Sequence, residues 1–321
     1  MSLTTERPAP TESSLVPSKP RVGDKVFKGL STGSGILIFV ILGAVATFLL
    51  AMAFPALVST PETLQSQGFG EFWSWVVPLA FGTVWSAFWA LVFAVPVAIG
   101  IALFISHYAP RKLAATLGYV IDLLAAVPSV VYGLWGGIAL ASALQPLHTW
   151  LATYLGFIPL FSGQPSGTGR TILTTSLVLA VMILPIITSL CREVFLQTPK
   201  LHEEAALALG ATRWEMVQMA VFPFARAGIV SAVMLGLGRA LGETMAVAMV
   251  LSGANVIKIE MLNQQNPVSI AARIALDFPE SSGLAVNQLI AAGLVLFVIT
   301  LAVNMVARWI VARRAAYSGA N

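Results

Sequence analysis

The chain has 321 residues, 57% of them hydrophobic and only 10% charged, with a mean hydropathy of +0.86. A soluble globular domain carries about 25% charged residues, so this composition excludes one and marks an integral membrane protein. The formal net charge of +4 is therefore read as basic loops at a membrane surface and not as a nucleic-acid-binding face. A single cysteine, Cys191, excludes an internal disulfide and a Cys-rich metal site, and the three histidines form no cluster along the chain.

Residues 1–30 read as a disordered cytoplasmic tail, rich in Pro, Ser and Thr and too poor in apolar residues to fold alone. The tail ends in Arg21, Lys25 and Lys28, directly before the first apolar run. That arrangement resembles the start of a signal peptide. The tail is long, however, and no small-x-small cleavage site is clear, so an uncleaved first helix is expected.

An all-α transmembrane domain is expected over 31–314, with a short C-terminal tail at 315–321. Six apolar runs reach the roughly 20 residues that cross a bilayer: near 34–57, 80–106, 114–143, 171–195, 222–252 and 287–311. With six spans, Arg111 and Lys112, Lys200 and Arg213, and Arg308, Arg313 and Arg314 all fall on the side of the basic N-terminal tail. The positive-inside rule then makes both termini cytoplasmic. Two long loops, 145–170 and 253–286, fall outside; they are read either as docking surfaces for an external partner or as solvated connectors.

In span three, Asp122 sits near the cytoplasmic end, before VPSVVYGLWGG. Pro128 removes a backbone donor and is expected to kink the helix, leaving Ser129 and Tyr132 beside the opened turn as a possible gate. Gly133 and Gly137 form G-x-x-x-G, a close-packing pattern. Between spans three and four, GQPSGTGRT at 163–171 looks like a phosphate loop but lacks G-x-x-x-x-G-K-[ST]. The chain has no such motif of its own, so any ATP hydrolysis falls to a separate subunit.

The polar segment EEAALALGATRWEMVQMAVFP, residues 203–223, interrupts the apolar runs. Thr198 and Pro199 suit a helix start. Gly210 suits a left-handed stop. Thr212 and Glu215 form a T-x-x-E capping box. A short helix, a sharp break and a second helix leading into span five are expected over 199–216. Glu203 and Glu204 supply charge for a helix start or a basic partner, and Ala205 and Ala206 permit close approach of another surface.

Span five carries Arg239 and Glu243, four residues apart in GLGRALGETMA and hence expected on one helix face. Pro223 to Arg239 is about 24 Å of helix rise, deep in the bilayer. An ionisable residue there costs ~2.5–3.5 kcal/mol on insertion scales and is functional by default. A guanidinium suits a tetrahedral oxyanion, and Glu243 could neutralise it in the empty state. The alternative is a structural ion pair locking span five, with Gly236, Gly238 and Gly242 as packing positions.

The E-A-A-x-x-x-G spacing, with Pro223 thirteen residues after Gly210, resembles the loop of ABC-importer permeases on which an ATPase acts. Ala220 and Phe222 depart from the family's usual Ile and Leu there. Together with VPSVVYGLWGG and GLGRALGETMAV, the segment resembles the PstC family, one of two permeases of bacterial phosphate importers, over about residues 75–314. The resemblance implies a type I ABC-importer permease fold with a coupling helix at about 199–216. It also implies a bacterial inner-membrane location and inward phosphate transport, with no enzyme activity in the chain. The implied partners are a second permease similar to PstA, an ATPase dimer similar to PstB that carries ATP-Mg, and an external phosphate-binding protein similar to PstS. Phosphate translocation would map to Arg239 and Glu243, and the family's coupling-helix residues to Glu204, Ala205 and Gly210; Glu203 and Ala206 are expected to share the same ATPase-coupling surface. Other readings remain: a different oxyanion as cargo, an ion-coupled carrier using Glu243, or a phosphate-sensing scaffold.

Overall fold

The computed structural model describes residues 22–58, 71–251 and 253–315, with side chains described to residue 309. The chain falls into two units that divide between Leu49 and Leu50. The first is the bulk of helix α1 (Val22–Val58). Residues 22–30, assigned to the tail from sequence, already belong to this helix; residues 1–21 and 316–321 lie outside the described residues.

Two helices form the core of the second unit: α2 (Phe72–Leu103), prolonged by a π-turn at Phe104–Tyr108, and α6 (Ile172–Leu196). Gly82, Ser86, Ala90, Ala94, Ala98 and Ala102 recur every fourth residue of α2, and every one is buried. This stripe brings the α2 backbone close to its neighbours, the way membrane helices associate when no hydrophobic force separates helix from lipid. Against the small stripe, α6 contributes large side chains: Ile172, Leu179, Met182, Ile183, Ile187 and Phe195 are all fully buried. The two helices make the most extensive helix–helix contact among the described residues.

Among the described residues, six helices are long and apolar enough to cross a membrane, as expected, but the third is displaced: it runs Ser129–Leu155, not 114–143. The chain breaks at 126–128, so Arg111–Ala125 is a separate helix, α3, on which Asp122 is exposed. Pro128 explains the break. A proline disfavours the helical region for the residue before it, and here it stands at the N-cap of a new helix, with φ −60° and ψ 139°. The expected kink within one helix is thus a junction between two. The third span is α4 (Ser129–Trp135), a π-turn at Gly136–Leu140, and α5 (Ala141–Leu155).

After α6 come α7 (Lys200–Ala208) and α8 (Arg213–Met216); a π-turn at Val217–Val221 leads into α9 (Phe222–Leu241). Then follow α10 (Met245–Val250), α11 (Ile270–Asp277) and α12 (Leu284–Ala315).

The loops around 156–171 and 253–269 are zipped together by backbone bonds. Met261 N–H donates to Leu160 O at 2.8 Å, and Ser166 N–H donates to Leu262 O at 2.8 Å. The same assembly is pinned to α2, where Ile270 N–H donates to the Thr83 hydroxyl at 2.9 Å. GQPSGTGRT has a structural role in this arrangement: its Thr171 accepts from Thr174 N–H at 3.2 Å and caps α6.

Candidate anion path and coupling elbow

Arg239 lies in the last turn of α9. It opens onto a cavity of about 580 Å³ lined by Ile186 of α6, Ser231, Met234, Leu235 and Gly238 of α9, and Asn304 of α12. Its Nε is buried and has no hydrogen-bond partner. An unsatisfied buried donor costs about 1–3 kcal/mol, more on a charged group. This Arg239 donor is therefore unspent, at the edge of an apolar-walled space.

Glu243 does not share a helix face with Arg239, contrary to the expectation from spacing. Helix α9 ends at Leu241, where Gly242 N–H donates to Gly238 O at 3.2 Å. Glu243 lies between the helices, and its Oε1 accepts from Ala246 N–H at 3.1 Å. A carboxylate at a helix N-terminus satisfies an orphan donor and meets the positive end of the dipole. In apolar surroundings that bond replaces one more turn of continuous helix. Glu243 is only 8% exposed, and among the described residues no ion pair joins it to Arg239.

The candidate gate residues are carried next to this junction. Tyr132, buried in α4, donates its hydroxyl to Leu124 O at 3.0 Å and so bridges the break at 126–128. Pro128 is exposed and Ser129 half-buried. Helix α4 and the π-turn after it seat directly on α10: a methyl group on Gly133 would come within 2.8 Å of Ala246 Cα, and one on Gly137 within 2.7 Å of Met249 O. The G-x-x-x-G pattern is thus a close-packing face, and its partner is the helix capped by Glu243.

The polar segment 199–216 folds into the expected elbow. Helix α7 ends in a Schellman motif: Ala211 N–H donates to Ala206 O at 3.2 Å and Gly210 N–H to Leu207 O at 3.0 Å. Gly210 has φ +88°, a conformation that strains residues with a Cβ. The capping box is complete, with Glu215 N–H donating to Thr212 Oγ1 at 3.3 Å and Thr212 N–H to Glu215 Oε2 at 2.7 Å. The start differs from expectation: Pro199 itself holds the N-cap position, and buried Thr198 leaves its hydroxyl unpartnered.

The elbow divides its residues between two directions. Ala206 is buried and Glu203 is half-buried, 3.4 Å from His107 Nε2 at the end of the α2 π-turn. Glu204 and Ala205 are exposed, and so are Leu201 and Leu209, at 74% and 89%. Sequence reading missed these leucines, as it missed Ser231 and Asn304 at the cavity. An exposed leucine on a short helix in a greasy chain gives no signal until the surface is seen.

Among the described residues, a multi-pass helical domain carries an exposed elbow and an arginine-edged cavity, the build of a membrane-embedded protein. The model of one family, described as "Binding-protein-dependent transport system inner membrane component", matches residues 94–315, and the chain belongs to that family. It is 46% identical over 299 residues to the phosphate transport system permease protein PstC 2 of Mycobacterium tuberculosis, covering 90% of this chain and 91% of that one. It is 43% identical to PstC of Mycobacterium leprae, covering 93% and 96%. A crystal structure of a bacterial ABC transporter involved in the import of the polysaccharide alginate matches with a TM-score of 0.59 at 16% identity, covering 90% of this chain and 96% of that one. The fold is that of a type I ABC-importer permease, and the chain is a multi-pass inner-membrane protein.

Proposed function

We propose that this chain is a membrane-spanning subunit of an ATP-driven importer of inorganic phosphate. The observation that carries the reading is Arg239, a buried guanidinium donor left without a partner at the edge of a cavity, within a chain whose relatives are named as phosphate permeases. Phosphate enters from an external binding protein docked on the zipped loops 156–171 and 253–269. It meets Arg239 in the membrane and leaves inward. Arg239 binds and Glu243 holds the α9–α10 junction, while Pro128, Ser129 and Tyr132 move with α4.

A separate ATPase dimer binds the exposed face of α7, through Leu201, Glu204, Ala205 and Leu209. The elbow is rigid because of Gly210 and the Thr212–Glu215 box, so a push on α7 is passed to α9. Half-buried Glu203 and buried Ala206 anchor α7 to this chain instead of touching the ATPase. A second permease completes the channel. Basic residues Arg111, Lys112, Lys200 and Arg213 lie on the elbow side, which supports cytoplasmic termini.

Uptake of labelled phosphate in cells lacking the chain tests the cargo. Restoration by this chain, undiminished by excess sulfate or molybdate, is the expected result. Restoration of sulfate uptake alone would transfer the role to a different oxyanion. Uptake that persists when the ATPase subunit is deleted would favour an ion-coupled carrier.

A further inference from the structure

The cavity beside Arg239 offers acceptors as well as donors, and this mixture matches one class of tetrahedral anion. Ser231 has already committed its hydroxyl proton, donating to Ala227 O at 2.9 Å. What it can present to the cavity is lone pairs. Asn304 lines the same space from α12 and carries both an NH₂ donor and a carbonyl acceptor. Arg239 is donor only. The remaining walls, Ile186, Met234 and Leu235, are apolar and leave a polar ligand few other partners.

We infer that Ser231 and Asn304, with Arg239, form an anion rest site that selects oxyanions still carrying a proton. The inference rests on Arg239 being on the phosphate path. Phosphate and arsenate keep at least one O–H at neutral pH, and that O–H needs an acceptor; Ser231 Oγ and Asn304 Oδ1 supply it. Sulfate has no proton to give, and neither does the phosphodiester of a lipid headgroup. Each would set its oxygens against the Ser231 lone pairs with nothing shared between them. Sites that hydrogen-bond a ligand hydroxyl reject analogues lacking it far more sharply than apolar pockets reject an extra group. Selection here would act after delivery, as a second check independent of any external binding protein.

The test uses the purified whole complex of both permeases and the ATPase dimer, without the external binding protein. Leu235, exposed at the cavity wall, is replaced in Leu235→Cys and labelled with a maleimide; native Cys191 is buried. Inorganic phosphate and arsenate should protect about tenfold better than sulfate or dimethyl phosphate. In the Ser231→Ala/Asn304→Leu double variant, phosphate protection should fall to the sulfate level while the complex still elutes intact. Anion-dependent thermal shifts of the same samples give a second readout. Equal protection by sulfate, no protection by any anion, or discrimination that survives the double variant would each overturn the inference. An Arg239→Gln arm separates the two levels. Loss of all protection there keeps Arg239 on the path even if proton selection falls; unchanged protection removes the site reading and this inference with it.

Discussion

Arg239 and Glu243 show how far residue-level reasoning reaches. That both were functional candidates followed from their charge in an apolar run, because insertion energetics leave few idle ions in a membrane. Their relation to each other did not follow. Spacing by four predicts a shared face only if the helix continues, and here Gly242 ends it while Glu243 caps the next helix. The competing interaction, a carboxylate on a free N–H, is invisible to periodicity.

Gly133 makes the same point from the packing side. The G-x-x-x-G spacing was legible, but which backbone it admits was not. With Ala246 Cα only 2.8 Å from where a Cβ would sit, Gly133→Leu must push α4 off α10. Overpacking of this kind costs about 1–3 kcal/mol. The expected outcome is a lower melting temperature of the detergent-solubilised complex and reduced uptake; an unchanged melting temperature would mean that α4 and α10 are not tightly seated.

At the scale of elements, the elbow was the most legible part of the chain because its signals are local. A left-handed glycine and a capping box each act within a few residues, and both are found as expected. The third span was misplaced because apolar character runs through the α3–α4 junction, so hydropathy could not see the break at 126–128. The small-residue stripe on α2 went unread because alanine is also merely a good helix former. A prediction belongs to the elbow: Gly210→Val places a β-branched residue at φ +88°, where a left-handed conformation costs about 1–2 kcal/mol. The chain should still reach the membrane, since nothing crowds Gly210 within 4 Å. Recovery of the ATPase subunit in pull-downs, and uptake, should both fall. Full ATPase recovery with normal uptake would show that the elbow's angle does not matter for coupling.

At the scale of the whole molecule, six spans were countable from hydropathy, and the orientation rests on where basic residues gather. Moving span three to Ser129–Leu155 leaves its parity unchanged, so Arg111 and Lys112 stay with the elbow. A cysteine replacing Lys112 should react with a membrane-impermeant maleimide only after cells are opened, and one replacing Asn263 should react in intact cells. The reverse pattern would invert the protein. What hydropathy could not supply is the cavity, since it is made by α6, α9 and α12 together and exists only after packing.

The central claim is that the unpartnered guanidinium of Arg239 belongs to the phosphate path. Labelled phosphate uptake in cells lacking this chain, restored with the wild type or with Arg239→Gln, tests it most directly. Membrane abundance and ATPase pull-down are scored in the same samples. Arg239→Gln is predicted to assemble at wild-type levels and to lose most uptake, by about tenfold or more for one charged hydrogen-bonding group. Normal uptake by an assembled Arg239→Gln complex would contradict the claim and leave Arg239 a structural residue.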